Sequence, residues 1–294
     1  MRIASLLPAA TEIVGALGLE DQLVAVTFEC DHPVGIRDRR PVVVDTALPP
    51  GLDPGAIDAV VRDCVARGLP MYELDRDALA AIDPDLILTQ DLCRVCALPS
   101  GAVDEALATI GCSADVLSID PHTVAEVLDA ITAVGRRAGA TAAAARLVAE
   151  LDARLDAVAA AVAGRPRRSA LVLEWTDPPF VAGHWVPELI RRAGGEPVGC
   201  VDGGRSTTIG WDEVAAAAVE VVVVAPCGFG LGAAVEQAGA VLDRLPAVPV
   251  VAIDSASYVV RAGPRLVDGV EALAWALHPG AVPEPPPGRV ARVR

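Results

Sequence analysis

The stretch Glu174-Trp-Thr-Asp-Pro-Pro-Phe-Val-Ala-Gly-His-Trp-Val-Pro-Glu188 decides how the rest of the chain is read. An apolar run, Ala170 to Leu173, comes before it and has the length and composition of a buried strand. An amphipathic run, Pro187 to Ala193, comes after it and closes on Gly194-Gly195, the stop signal of a helix. Pro178-Pro179 offers no backbone donor and is pre-set to an extended form, which stiffens the connection. Two Trp, a Phe and a His fall in this connection, although aromatic residues make up only 3% of the chain. Rigid aromatics between a strand and a helix are what a binding cleft in an α/β protein is built from. The alternative is that Trp175, Phe180 and Trp185 plug the core, a place that His184 and Asp177 fit poorly.

Working outward, strand-like runs near Ile3–Leu7, Leu23–Thr27, Val42–Val44, Leu86–Thr89 and Val116–Ile119 alternate with helical ones. The second half repeats the pattern at Ala170–Glu174, Pro197–Val198, Val221–Ala225 and Val250–Ile253. Such alternation predicts parallel-type sheets with flanking helices. Ala80–Leu88 and Ala216–Val224 echo each other, each a helix end running into a central strand and then a cysteine-bearing loop. Between the halves, Val127, Leu128, Ile131 and Val134 recur at helical spacing after a Thr123/Glu126 capping box. Gly135 and Gly139 are expected to interrupt this helix, and Thr141 to cap a restart. Leu147, Val148, Leu151, Leu155, Val158 and Val162 then share one face. The expected organisation is an N-terminal α/β lobe over 1–123, a helical spine over 124–165, a C-terminal α/β lobe over 166–280 and a Pro-rich tail over 281–294 lying outside the fold.

A strand, Pro178-Pro179-Phe180, a Gly-led turn and a helix ending Ala193-Gly194-Gly195 together resemble the cobalamin- and iron-siderophore-binding proteins of bacterial ABC importers. Arg2-Ile-Ala-Ser-Leu-Leu-Pro-Ala-Ala-Thr-Glu-Ile13, Ala16-Leu-Gly18, Val24 to Pro33 with its Glu-Cys-Asp-His-Pro, and Ile82-Asp-Pro-Asp-Leu-Ile-Leu88 agree in order and spacing. The resemblance runs from residue 2 to about residue 279 and is nearest to the cobalamin branch. It implies an α/β protein of two Rossmann-like lobes joined by a long helix, the class III solute-binding protein fold. It also implies cobalamin or a related corrinoid held in a cleft between the lobes, by a binding protein and not an enzyme. A siderophore or haem-like ligand on the same scaffold is the alternative. The chain departs from the cobalamin branch at His32, where a Tyr is expected, and at Ser206-Thr-Thr, where a Trp is.

Composition narrows the field. A net charge of −15 leaves nothing to neutralise phosphates, so nucleic acid is not an expected partner. All 24 cationic residues are Arg, which excludes a Schiff-base lysine, a Walker lysine and a kinase lysine. No apolar run reaches the length of a membrane span, and no membrane insertion is expected. Met1-Arg-Ile-Ala-Ser opens directly into the first strand, and the cysteine count of seven is odd. Both suit a cytoplasmic protein, with a periplasmic or extracellular one the alternative if the start lies further upstream or the chain is mature.

Ligands of open α/β sheets sit beyond the carboxyl ends of the strands. There the sequence places Pro8, Asp31, His32, Gln90, Asp91, Phe180, His184, Trp185, Phe229 and Tyr258 as ligand-binding candidates. The aromatics would cover a flat macrocycle, and His184, His32 or Cys93 would approach its metal. A separate reading, zinc or an iron–sulfur cluster, draws on Cys30, Cys93, Cys96 and Cys227 or His184. Cys-x-x-Cys supplies two thiolates to one metal and needs two more ligands. Secreted relatives present one Glu per lobe to arginines of the permease, and the matching positions are Asp77 and Asp212. An ABC permease is therefore the expected partner of an exported form.

Overall fold

The computed structural model describes residues 1–91, 101–103, 105, 107, 113–200 and 202–294. Cys93 and Cys96, and with them the Cys-x-x-Cys pair, lie outside the described residues. The chain divides into two compact units, Met1–Pro121 with Ala125–Ala149, and His122–Val124 with Glu150–Arg294.

The first unit holds strands β1 Ile3–Ser5, β2 Leu23–Thr27, β3 Val42–Thr46, β4 Tyr72–Leu74, β5 Leu86–Thr89 and β6 Asp115–Ser118. They form one sheet in the order β4-β3-β2-β1-β5-β6. All neighbours are parallel except the edge strand β4, which pairs antiparallel with β3. Ile3, Ala4 and Ser5 are fully buried and pair with Leu86, Ile87 and Leu88, so the centre of the sheet reads as unbroken apolar runs. Beneath it, Ala4, Leu6, Ala25, Val43, Val44, Leu79 and Ile87 pack into one core.

The second unit holds β7 Arg168–Thr176, β8 Pro179–Val181, β9 Gly195–Pro197, β10 Thr207–Thr208, β11 Val221–Val224, β12 Val250–Ile253 and β13 Val290–Arg292. The path through this sheet is β10-β8-β7-β11-β12-β13, with β9 beside β7. The long strand β7 takes β9 along Arg168–Ala170 and β8 along Leu173–Thr176, with a bulge between Leu173 and Trp175. Asp177-Pro178 is therefore the turn of a hairpin, and the connection expected to be a stiff loop is largely strand. The missing N–H of Pro179 is tolerated at the first position of β8.

The chain end also differs from expectation. Past the Pro-rich segment, Val290–Arg292 returns to the sheet and pairs antiparallel with Val251–Ile253. Arg289 anchors the return: it pairs with Asp268 and Glu271 of the helix Leu266–Leu277, which also hold Arg154. A single composition-based label for 281–294 missed this, because a short edge strand needs only a neighbour's backbone to pair with.

The two connecting helices are Val124–Arg137 and Thr141–Val162. The first runs straight through Gly135. A Cβ there would lie 2.4 Å from the Cβ of Ala144, so the glycine permits close helix crossing and does not break the helix. Gly139, at φ +71°, makes the turn. The expected apolar face of the second helix buries Leu151, Leu155 and Val158.

Candidate functional site

In the N-terminal unit, the carboxyl ends of β1 and β2 meet in a small polar cluster. Thr11, in the helix Pro8–Ala16, donates to Ser5 Oγ at 2.8 Å, and Ser5 Oγ donates to the carbonyl of Leu7 at 2.9 Å. With the Thr11 proton spent, the Cys30 thiol 3.0 Å away is left to donate to Thr11 Oγ1. The Thr27 N–H approaches Cys30 Sγ at 3.4 Å. Cys30 is 1% exposed and its sulfur packs against the Thr11 and Thr27 hydroxyls. Pro8 opens its helix at N1, where no N–H is needed. Asp31 is exposed and His32 half-buried in the loop after β2. Gln90 is buried just past β5. The N–H of Asp91 donates to Asp120 Oδ1 at 2.5 Å, and Ser118 Oγ lies 2.6 Å from Asp120 Oδ2 and 3.1 Å from Asp91 Oδ2.

The C-terminal unit gathers different chemistry at the carboxyl ends of β7, β11 and β12. Trp175 pairs in register with Phe180, and its indole stands 5.6 Å from the Phe229 ring at a 52° tilt. The Trp175 indole N–H donates to the carbonyl of Asp177 at 3.0 Å. Cys227 is exposed beside this pair, its N–H donating to the carbonyl of Glu174 at 2.8 Å. The Glu174 side chain turns inward: it is 6% exposed and accepts from Ser206 Oγ and the Gly183 N–H. Burial outweighs these two bonds and pushes its pKa up to about 7.

His184 follows in left-handed backbone, φ 52°, a costly conformation for a non-glycine residue. Its N–H donates to the carbonyl of Gly204 at 2.6 Å, and its carbonyl accepts from the Gly203 N–H at 3.2 Å. Among the described residues its buried Nδ1 has no partner. Burial lowers its pKa, and nearby His122 and Arg205 lower it further.

Two expected ligand contacts are taken up by the protein itself. Trp185 is 5% exposed and donates its indole N–H to the carbonyl of Val259 at 2.8 Å, just ahead of the helix Val186–Arg192. It belongs to the core, because a buried indole needs an acceptor and finds one there. The Tyr258 ring has the guanidinium groups of Arg265 and Arg289 at 5.5 and 5.0 Å from its centroid. Asp77 and Asp212 are exposed in the first turns of the short helices Arg76–Ile82 and Trp211–Ala216. Among the described residues no group of three His, Cys, Asp or Glu side chains is placed to hold a metal ion. Sequence reading missed Glu174, Ser206, His122 and Arg205 as a group, although an acid closing an apolar strand was a signal available at Glu174.

Residues 3–252 match the family model described as periplasmic binding protein. The chain belongs to that family. Comparison with curated proteins finds no match. Among solved structures, a periplasmic haem-binding protein from Pseudomonas aeruginosa is 21% identical, with a TM-score of 0.71 over 99% of this chain and 97% of that one. The periplasmic vitamin B12-binding protein of Vibrio cholerae is 20% identical, with a TM-score of 0.68 over 94% and 96% of the two chains. A possible iron-binding periplasmic solute-binding protein from Staphylococcus epidermidis is 18% identical, with a TM-score of 0.68 over 94% and 98%. At these identities the likeness carries the fold, the class III solute-binding architecture expected from the sequence. The protein is a solute-binding protein of the ABC-transporter type, in a family of substrate-binding proteins. The cytoplasmic placement expected from the opening residues finds no support: the family and these relatives are described as periplasmic. No helix among the described residues is long and apolar enough to cross a membrane.

Proposed function

We propose that the protein binds cobalamin or a corrinoid precursor outside the cytoplasmic membrane and hands it to an ABC permease. The observation that carries this reading is the aromatic edge of the C-terminal sheet, with Trp175 and Phe229 in tilted contact and Phe180 beside Trp175. Rigid rings on strand ends offer a flat apolar ligand face-on contact at little entropic cost. The net charge of −15 favours a ligand without several negative charges, which suits a corrinoid better than an anionic ferric siderophore. Asp31, His32, Gln90 and Asp91 give the N-terminal sheet edge polar groups of the kind that a corrinoid's amides can bond, and exposed Asp77 and Asp212 would attract permease arginines.

One observation favours haem as the second reading: His122 and exposed Arg205 both act electrostatically on His184 at this edge, and such a cluster would suit an anionic propionate. The test is titration of purified protein with cyanocobalamin and, separately, hemin, followed by visible spectra and calorimetry. Equimolar cyanocobalamin binding that is lost in Trp175→Ala and Phe229→Ala is expected. Saturation by hemin alone reassigns the ligand, and binding of neither removes the macrocycle reading.

A further inference from the structure

His184 holds a strained backbone conformation, and its two backbone hydrogen bonds both go to one short turn, Gly203–Gly204. That turn is itself tied down at each end. On one side Asp202 pairs with Arg191 at 2.6 Å, and both side chains are well exposed, so water screens the pair. On the other side Ser206 donates to the Glu174 carboxylate, which is almost fully buried at the bulge of β7. Between the two ties the fit is tight. A Cβ on Gly183 would come within 2.3 Å of the Ser206 nitrogen and 2.7 Å of the Gly204 carbonyl oxygen. The turn therefore lies directly on the Gly183–His184 backbone, and only glycine allows it to.

We propose that Glu174 and Ser206 form a latch that clamps the turn 203–206 onto His184, making Glu174 a positioning residue for the ligand-binding edge. A left-handed His persists only where its surroundings over-determine it, and here they include a turn that runs into β10 and is fastened inward by one buried side-chain contact. The exposed Arg191–Asp202 pair is too screened to hold the turn alone. A buried carboxylate with two donors is the stronger anchor, because releasing Ser206 would leave a desolvated acceptor short of a partner. The buried acid of an apolar strand thus acts through Ser206 on a residue next in line at the edge.

The proposal rests on the macrocycle reading for its ligand and on the Glu174–Ser206 contact and the His184 backbone bonds for its latch, so the test has two arms. In the first, amide hydrogen exchange is followed by NMR without ligand. Ser206→Ala and Glu174→Ala are expected to speed exchange at the His184 and Gly203 amides by tenfold or more, while exchange in β11 and β12 stays as in the wild type. Ser206→Thr and Glu174→Gln, which keep a hydrogen bond, are expected to restore slow exchange. In the second arm, cyanocobalamin and hemin affinities are measured on the same variants, with about a tenfold loss for the alanine variants and recovery in the conservative ones. Unchanged exchange at His184 in Ser206→Ala overturns the latch. Faster exchange with unchanged affinity overturns the positioning role. Wild-type protein that binds neither probe counts against the proposed function, and the exchange arm then decides the latch by itself.

Discussion

The carboxyl edges of the two sheets are built to opposite specifications. In the N-terminal unit, Ser5, Thr11, Thr27 and Cys30 are small and buried, each hydroxyl or thiol engaged with the next. In the C-terminal unit the edge carries Trp175, Phe180 and Phe229, a buried acid raised to about 7, and a His in left-handed backbone with a partnerless Nδ1 among the described residues. A closed polar cluster stiffens a loop and asks for nothing more. An edge of large rings, strain and open hydrogen-bonding capacity has a free-energy cost that a ligand can offset. On the proposed function, the difference assigns recognition chiefly to the second unit and scaffolding chiefly to the first.

The contrast can be broken or sharpened by measurement. The largest effect is expected within the second edge itself, between its two tryptophans. Trp185→Ala should lower unfolding stability by about 3–5 kcal/mol in a denaturant titration, since it empties a core site. Trp175→Ala should cost no more than about 1 kcal/mol and abolish macrocycle binding. Equal stability losses would dissolve the division between core and platform.

Next comes the buried acid. Glu174 is raised from its ordinary value near 4.5 to about 7, so the folded protein holds this proton more tightly than the unfolded chain. Its contribution is fully present below pH 4.5 and is lost as pH rises toward 7. Roughly 3–4 kcal/mol of stability should fall away across that window, 2.5 pKa units at about 1.4 kcal/mol each. Glu174→Gln should flatten this part of the stability profile, and an unchanged slope would place the proton elsewhere.

On the first edge, Thr11→Val should cost about 1–2 kcal/mol by unpairing Cys30 and Ser5. Cyanocobalamin affinity should stay within about twofold, and a large loss would move recognition into the first unit. The smallest effect is expected away from both edges. Asp58→Ala breaks the Arg62–Asp58 pair one turn apart on an outer helix and should shift stability by no more than about 0.5 kcal/mol.

Much of the fold could be read in advance because its central strands are apolar runs of the right length. Leu23–Thr27, Leu86–Thr89 and Val250–Ile253 have the bounds expected of them. Tyr72–Leu74, Pro179–Val181, Thr207–Thr208 and Val290–Arg292 were not foreseen, and each is a short antiparallel strand. Two or three residues such as Thr-Thr carry no periodic signal; they become strand because a neighbouring backbone has groups left to bond. Gly135 shows the same limit in a helix, since its meaning depends on Ala144 across the crossing.

The candidate site was legible in kind and less so in detail. Phe180, Phe229 and His184 lie at the edge foreseen for them, because strand ends in an α/β sheet are ordered by topology. Trp185 and Tyr258 do not stand open there, because an indole acceptor at Val259 and two flanking arginines are supplied from distant parts of the chain.

The amino-acid order alone determined the α/β class, the two sheets and the apolar helix faces, since these follow from local periodicity, and its motifs carried the resemblance to the family. Only the tertiary structure decided which aromatic is core and which is edge, that Cys30 is enclosed, and that Glu174 reaches Ser206. Those outcomes depend on contacts between residues tens of positions apart, where burial and partner geometry, not residue type, set the energy of each group.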